Sequence, residues 1–242
     1  MKAERFPLPR IMVVAVLLAT TSIAAHAAGA HGINPANFVD EVDNRFFPLE
    51  PGTTFFYEGE KDGVPSTNVT RVIFRTKRIL GVDCTVVSDN AYEDGVLVER
   101  TIDYFAQDRD GNVWYFGEDT EELDEFGNVT STEGTWRAGV DGAQPGIVME
   151  AHPRVGDRYD QEVAPGVAED KAQVLRLNGA LCVPYGCFDD LLVTKEWSPL
   201  NPSVVERKYY AAGVGFIFSK MVKGGDEFTQ LVRITRDGRD DD

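Results

Sequence analysis

Oxygen-bearing side chains are concentrated in the turn Asp108-Arg-Asp-Gly-Asn112. Asp108, Asp110 and Asn112 place their side-chain oxygens at alternate positions around a glycine, a spacing that suits calcium. A plain hairpin turn explains the same residues, because Asp, Gly and Asn favour turn backbone conformations. Calcium is therefore the one cofactor that the sequence suggests, and a turn without a cation is its alternative.

The segment at residues 133–152 is long and rich in glycine, and it is predicted to be a loop. Long loops on a rigid β scaffold often carry binding sites. The candidate ligand-binding residues are Trp136, Asp141, Ile147, Met149 and His152. The apolar members would form a lid over a barrel mouth, and the polar members would add the few contacts that a pocket needs. Alternatively, the Trp and Met side chains plug one end of the barrel.

Catalysis by paired carboxylates is a further hypothesis, with Glu133 and Asp141 as an example. The chain has 40 acidic residues, so some pair at a suitable separation is expected by composition alone. A G-x-S-x-G nucleophile motif is absent from the sequence. Whether the protein is an enzyme stays open, and the sequence favours a non-catalytic role.

Three cysteines are present, at positions 84, 182 and 187. A Pro-x-Gly turn separates Cys182 from Cys187, so a disulfide between them is geometrically allowed. The alternative is that all three cysteines are small buried hydrophobic residues. Cys84 is predicted to be buried in a strand in either case.

Residues 1–27 have the pattern of a cleaved signal peptide, with basic residues, an apolar run and the small-x-small site Ala25-His-Ala27. A lipid anchor is not expected, because no Cys lies near the cleavage site. The predicted location is therefore periplasmic or secreted. No other segment approaches the roughly 18 apolar residues of a membrane-spanning helix.

The net charge of -16 argues against a nucleic-acid partner, because phosphate binding needs a basic surface. The sequence does not define an oligomeric state. It favours binding of a small apolar ligand over binding of a polyanion.

Short β-branched and aromatic runs alternate with turn residues along the chain, and no window shows a sustained helical period. Phe55 and Tyr57 share one face of such a run. The sequence predicts an all-β fold, a single antiparallel, strongly curved sheet or β-barrel of about ten to twelve strands. Residues 28–45 are predicted to be flexible, 46–235 to form the barrel and 236–242 to be a disordered tail.

Two motifs carry a family resemblance. Phe47-Pro-Leu-Glu-Pro-Gly52, continuing to Tyr57, and Val183-Pro-Tyr-Gly-Cys-Phe188 resemble segments of uncharacterised exported bacterial β-barrel proteins. The chain is similar to the TapB-like periplasmic proteins and, more loosely, to open barrels of the lipoprotein-carrier type. The resemblance implies an extracytoplasmic barrel around an apolar interior, and it implies no catalytic residue.

These observations lead to one main hypothesis and two alternatives. The main hypothesis is a secreted or periplasmic, non-catalytic β-barrel that binds an apolar or amphipathic small molecule. The first alternative is a calcium-dependent structural or adhesion module of the cell envelope, and the second is a hydrolase.

Overall fold

The computed structural model describes residues 32–238, which form sixteen strands and one short 3-10 turn at Pro35–Asn37. The strands are β1 Phe38–Val39, β2 Thr53–Lys61, β3 Val64–Ile79, β4 Val82–Glu93, β5 Val96–Asp108, β6 Val113–Leu123, β7 Val129–Ser131, β8 Trp136–Arg137, β9 Gln144–Met149, β10 Arg158–Asp160, β11 Glu162–Val163, β12 Lys171–Val183, β13 Gly186–Ser198, β14 Asn201–Ala211, β15 Gly215–Lys223 and β16 Glu227–Arg236. The predicted signal peptide lies outside the described residues.

One antiparallel sheet runs in the order β10-β12-β13-β14-β15-β16-β2-β3-β4-β5-β6-β9-β11. Its two ends are joined by a single chain segment, because β10 pairs with β12, β11 pairs with β9, and only Gln161 separates β10 from β11. The sheet is therefore nearly closed into a barrel, an arrangement that leaves few unpaired edge groups.

The predicted all-β class and antiparallel sheet are confirmed, but the prediction of ten to twelve strands is wrong. The additional strands are mostly two or three residues long, such as β1, β8 and β11. Segments this short carry no detectable alternation, and they become strands through pairing with a long neighbour. The predicted loop at 133–152 contains two of the strands, β8 and β9. No helix within residues 32–238 is long and apolar enough to cross a membrane.

Residues 33–50 pack over one end of the barrel, although the sequence predicts flexibility up to position 45. Asn44 is buried, its Nδ2 donates to the carbonyl oxygens of Gly111 and Glu150, and its Oδ1 accepts from the Phe46 N–H. The Gly213 N–H donates to the Arg45 carbonyl at 2.7 Å. These bonds explain why a polar segment adopts a defined path. We call this the covered end of the barrel.

The opposite end, which we call the far end, carries the turns at 62–63, 94–95 and 224–226. At the covered end the chain finishes against the start of β2, where the Asp237 N–H donates to the Gly52 carbonyl. The beginning of the predicted tail is thus hydrogen-bonded, and residues 239–242 lie outside the described part of the chain.

A disulfide joins Cys182 and Cys187 across the turn between β12 and β13, where the two residues are register partners. Cys84 is buried, and burial raises the pKa of its thiol to about 12, which is typical of an unreactive cysteine. Closing so small a loop stabilises the fold by about 2 kcal/mol, mainly by restricting the unfolded chain.

Replacing Cys182 and Cys187 together by serine is therefore expected to lower the free energy of unfolding by about 2 kcal/mol. Urea denaturation measures the change, and a reductant should shift the wild-type midpoint toward that of the double variant. Equal midpoints for the wild type and the double variant would show that the bridge does not contribute to stability.

Candidate functional site

A cavity of about 360 Å³ lies inside the barrel, next to the covered end. Alternate residues of the long strands point into it, as the two-residue period of a β-strand requires. Its aromatic wall consists of Phe47, Phe55, Tyr57, Phe105, Tyr115, Tyr210 and Phe216. Its polar wall consists of Thr70, Asp89, Asp103, Gln161, Glu162, Glu196 and Lys208.

The aromatic rings contact one another in two groups, one around Phe105 and one around Phe216. Phe105 stacks on Tyr115 with ring centres 4.7 Å apart, and Phe47 meets Phe105 edge to face at 5.2 Å. Tyr57 lies 5.3 Å from Phe216, and its hydroxyl donates to the Phe216 carbonyl at 3.2 Å. These contacts fix the orientation of the rings relative to one another.

Two carboxyl groups on neighbouring strands, those of Asp89 and Asp103, face this interior. Asp103 Oδ1 accepts a 2.5 Å hydrogen bond from the Tyr115 hydroxyl. Asp89 Oδ2 lies 3.3 Å from the Thr70 hydroxyl, while its buried Oδ1 receives no hydrogen bond from the described residues. Burial, with the charge of Asp89 nearby, raises the pKa of Asp103 to about 8, and burial raises that of Asp89 to about 6.

Two further carboxyl groups belong to the same electrostatic cluster. Glu118 Oε2 lies 3.2 Å from the Tyr115 hydroxyl, which also contacts Asp103 and has a single hydrogen to donate. Burial, followed by the charges of Glu162 and Asp103, raises the pKa of Glu118 to about 9. Burial and the charge of Asp170 raise the pKa of Glu162 to about 7. Of the four groups, Asp103 and Glu118 therefore favour their protonated forms at neutral pH.

Lys208 and Glu196 form an ion pair on the opposite wall, with Nζ and Oε2 2.9 Å apart, in which Glu196 is buried and Lys208 is half-buried. Glu196 Oε1 also accepts from the Thr194 and Tyr210 hydroxyls. Burial alone would lower the pKa of Lys208, but the charges of Glu196 and Glu206 hold it well above its usual value. The ammonium is thus permanently charged and already compensated.

A smaller pocket of about 260 Å³ lies at the far end and is also acidic. Its walls include Glu93, Glu99 and Glu227, and the cation Lys61 is paired with Glu93 at 2.8 Å. The charge of Glu99 contributes to the raised pKa values of Asp89 and Asp103. The negative potential therefore extends from the far end to the cavity.

The five residues predicted to bind a ligand do not meet at the cavity wall. Trp136 is buried and contacts the cavity residue Tyr115 edge to face at 5.4 Å. Trp136 and the exposed Asp141 line a separate surface pocket of about 340 Å³. Met149 is completely buried, Ile147 is half-buried beside Trp114 in the register of β9 with β6, and His152 is exposed. From this part of the chain, Val148 lines the cavity instead.

The predicted calcium turn is held by its own hydrogen bonds. Asp108 accepts from the backbone N–H groups of Asp110 and Asn112, from Asn112 Nδ2 and from Trp114 Nε1. Within residues 32–238, no three His, Cys, Asp or Glu side chains are arranged to hold a metal ion. The hydrogen bonds explain the Asp-x-Asp-Gly-Asn sequence without a cation, and calcium binding stays a prediction.

Glu133 and Asp141, the example of a catalytic carboxylate pair, are both exposed on the 133–152 segment. They lie outside the wall of the interior cavity. The pair that shares the Tyr115 hydroxyl is Asp103 and Glu118, both half-buried, which sequence reasoning missed. The available signal was a charged residue two positions from an aromatic one, as in Asp103-x-Phe105 and Lys208-x-Tyr210.

No family model matches the chain, and no curated protein matches it. Two solved structures are similar. A Bacteroides fragilis protein described as a "putative exported protein with YmcC-like fold" is 15% identical over 80% of this chain and 100% of its own, with a TM-score of 0.48. A "putative lipoprotein" from Parabacteroides distasonis is 12% identical over 79% and 99%, with a TM-score of 0.43.

Proposed function

We propose that the protein is an exported, non-catalytic β-barrel that binds an apolar or amphipathic small molecule in its interior. The observation that carries the proposal is the cavity of about 360 Å³ with its aromatic wall. Small-molecule sites are typically cavities of roughly 300–1,000 Å³ with a mainly apolar lining and a few placed polar groups.

The disulfide supports export, because such bonds persist in oxidising compartments. The predicted signal peptide at residues 1–27 agrees with this location. The calcium-dependent module is less well supported, because the carboxylate of Asp108 is already occupied by hydrogen bonds. A hydrolase based on Glu133 and Asp141 would have to act from exposed side chains outside the cavity.

Filling the cavity is expected to weaken ligand binding. Val148 lines the cavity and is half-buried, so Val148→Trp should place an indole in the ligand volume. We expect the affinity for the neutral fluorescent probe N-phenyl-1-naphthylamine to fall at least about tenfold. The probe's fluorescence, titrated with protein, measures the dissociation constant.

Val140→Trp is the matched control, because Val140 lies on the same segment and is 52% exposed. This variant should bind the probe as the wild type does. A wild-type protein that does not bind the probe, or a Val148→Trp variant that binds it equally well, would refute the proposed function.

A further inference from the structure

The cavity wall has an excess of acidic groups. Asp89, Asp103, Glu162 and Glu196 line it, against the single ammonium of Lys208. Lys208 is already neutralised by Glu196 at 2.9 Å. The other three carboxyl groups have no ion pair within residues 32–238. A carboxyl group that ionises in a cavity without a counter-charge favours a ligand of the opposite charge.

Aromatic rings lie directly beside these carboxyl groups. Phe105 is two residues from Asp103 on β5, and Tyr115 both stacks on Phe105 and hydrogen-bonds Asp103. Ring faces attract organic cations, most strongly where water is excluded. The combination of ring faces with a carboxyl group is therefore suited to an ammonium group.

An independent observation concerns Asp89, whose Oδ1 is buried and accepts no hydrogen bond from the described residues. A buried acceptor without a donor is costly, and an N–H donor of a ligand would satisfy it. A metal ion fits less well, because no three acidic, Cys or His side chains in the described residues are arranged to ligate one.

The acidic residues of the far-end pocket add to the negative potential that a cation would meet. Glu99 and Glu227 line it, and the one lysine there, Lys61, is paired with Glu93. A cleft lined by one sign of charge raises the local concentration of the opposite sign. Cations are therefore favoured along the barrel as well as inside the cavity.

Building on the proposed function, we infer that the ligand is an organic amine cation with an apolar body. Its ammonium group would lie between Asp89 and Asp103, and its apolar part would contact Phe55, Phe105 and Phe216. A neutral or anionic molecule of the same shape would leave these carboxyl groups without a positively charged partner.

Three small molecules that each carry an eight-carbon chain test the preference of the cavity for a positive charge: n-octylammonium, n-octanol and n-octanoate. Each competes with N-phenyl-1-naphthylamine at pH 8, and the competition gives its dissociation constant. We expect octylammonium to bind about tenfold more tightly than octanol, and octanoate to bind most weakly. Equal affinities, or tighter binding of octanoate, would overturn the inference while leaving the proposed function intact. Failure of the fluorescent probe itself to bind would refute the proposed function instead.

The variants Asp103→Asn and Asp89→Asn test whether these two carboxyl groups cause the preference for octylammonium over octanol. Asparagine has nearly the same shape as a protonated carboxyl group but cannot ionise, so the ratio of the octylammonium and octanol affinities within each variant isolates the effect of the charge. We expect each to reduce the preference for octylammonium over octanol to about threefold or less. Glu133→Gln, on an exposed side chain, is the control and should keep the full preference. An undiminished preference in both cavity variants would overturn the inference.

Discussion

Replacing Lys208 by methionine is expected to lower the free energy of unfolding by about 3 kcal/mol, because it leaves Glu196 buried without its counter-charge. The side chain of Glu196 is only 7% exposed, whereas Lys208 is 33% exposed and lines the cavity. This partial hydration places the expected loss at the lower end of the range for breaking a buried pair. Chemical denaturation at pH 7 measures it.

Two further variants distinguish a charge effect from a loss of packing. Lys220→Met changes an exposed lysine on the adjacent strand β15 and should alter stability by less than about 0.5 kcal/mol. Adding Glu196→Gln to Lys208→Met should restore part of the loss, because the uncompensated charge is removed. A Lys208→Met variant as stable as the wild type would show that the pair has no structural role.

Raising the pH from 5 to 8 is expected to lower the stability of the unliganded protein. Burial raises the pKa of Asp89 to about 6, Glu162 to about 7, Asp103 to about 8 and Glu118 to about 9, whereas the unfolded chain titrates near 4. Between these values the folded protein holds protons that the unfolded chain has released. The stability that these protons confer is complete below about pH 4 and is lost as the pH rises through the folded-state values.

One extra proton held over three pH units corresponds to about 4 kcal/mol. The four side chains are half-buried, so we expect about half of this, ~2 kcal/mol, from denaturation curves at pH 5 and 8. Besides its own members, the groups that act on the cluster are Asn68, Thr70, Glu99, Tyr115, Trp136, Asp170 and Lys208.

The Asp103→Asn variant has no ionisable group at this position, so its free energy of unfolding should change less between pH 5 and 8. Asp141→Asn changes an exposed carboxyl group and should leave the dependence unchanged. Stability that stays constant or increases between pH 5 and 8 would contradict the assignment of a buried, protonated cluster.

The long strands could be predicted from the sequence, because their side chains alternate between the barrel interior and the outer surface. Phe55 and Tyr57, predicted to share a face, both line the cavity. The short strands could not be predicted, since β8 and β9 depend on pairing with β6. The order of residues 33–45 likewise depends on hydrogen bonds such as Asn44 to Gly111, across 67 positions of the chain.

The candidate site was harder to predict than the fold. The loop at 133–152 attracted attention because of its Trp, Met and His, whereas the charged wall comes from Asp89, Asp103 and Lys208, which lie inside regular strands. The sequence pattern shows that a charged residue lies on the inward face of a strand. It does not show the neighbours of that residue, because these depend on strand register: Asp103 is opposite Val87 on one side and Glu118 on the other.

A crystal structure of the protein soaked with 8-bromooctylammonium tests the central claim, a hollow interior that binds a ligand. Anomalous scattering locates the bromine independently of the protein model. We expect the bromine beside Phe55 and Phe216, and the ammonium within hydrogen-bond distance of Asp103. An interior filled by side chains, with bromine only on the outer surface, would contradict the account.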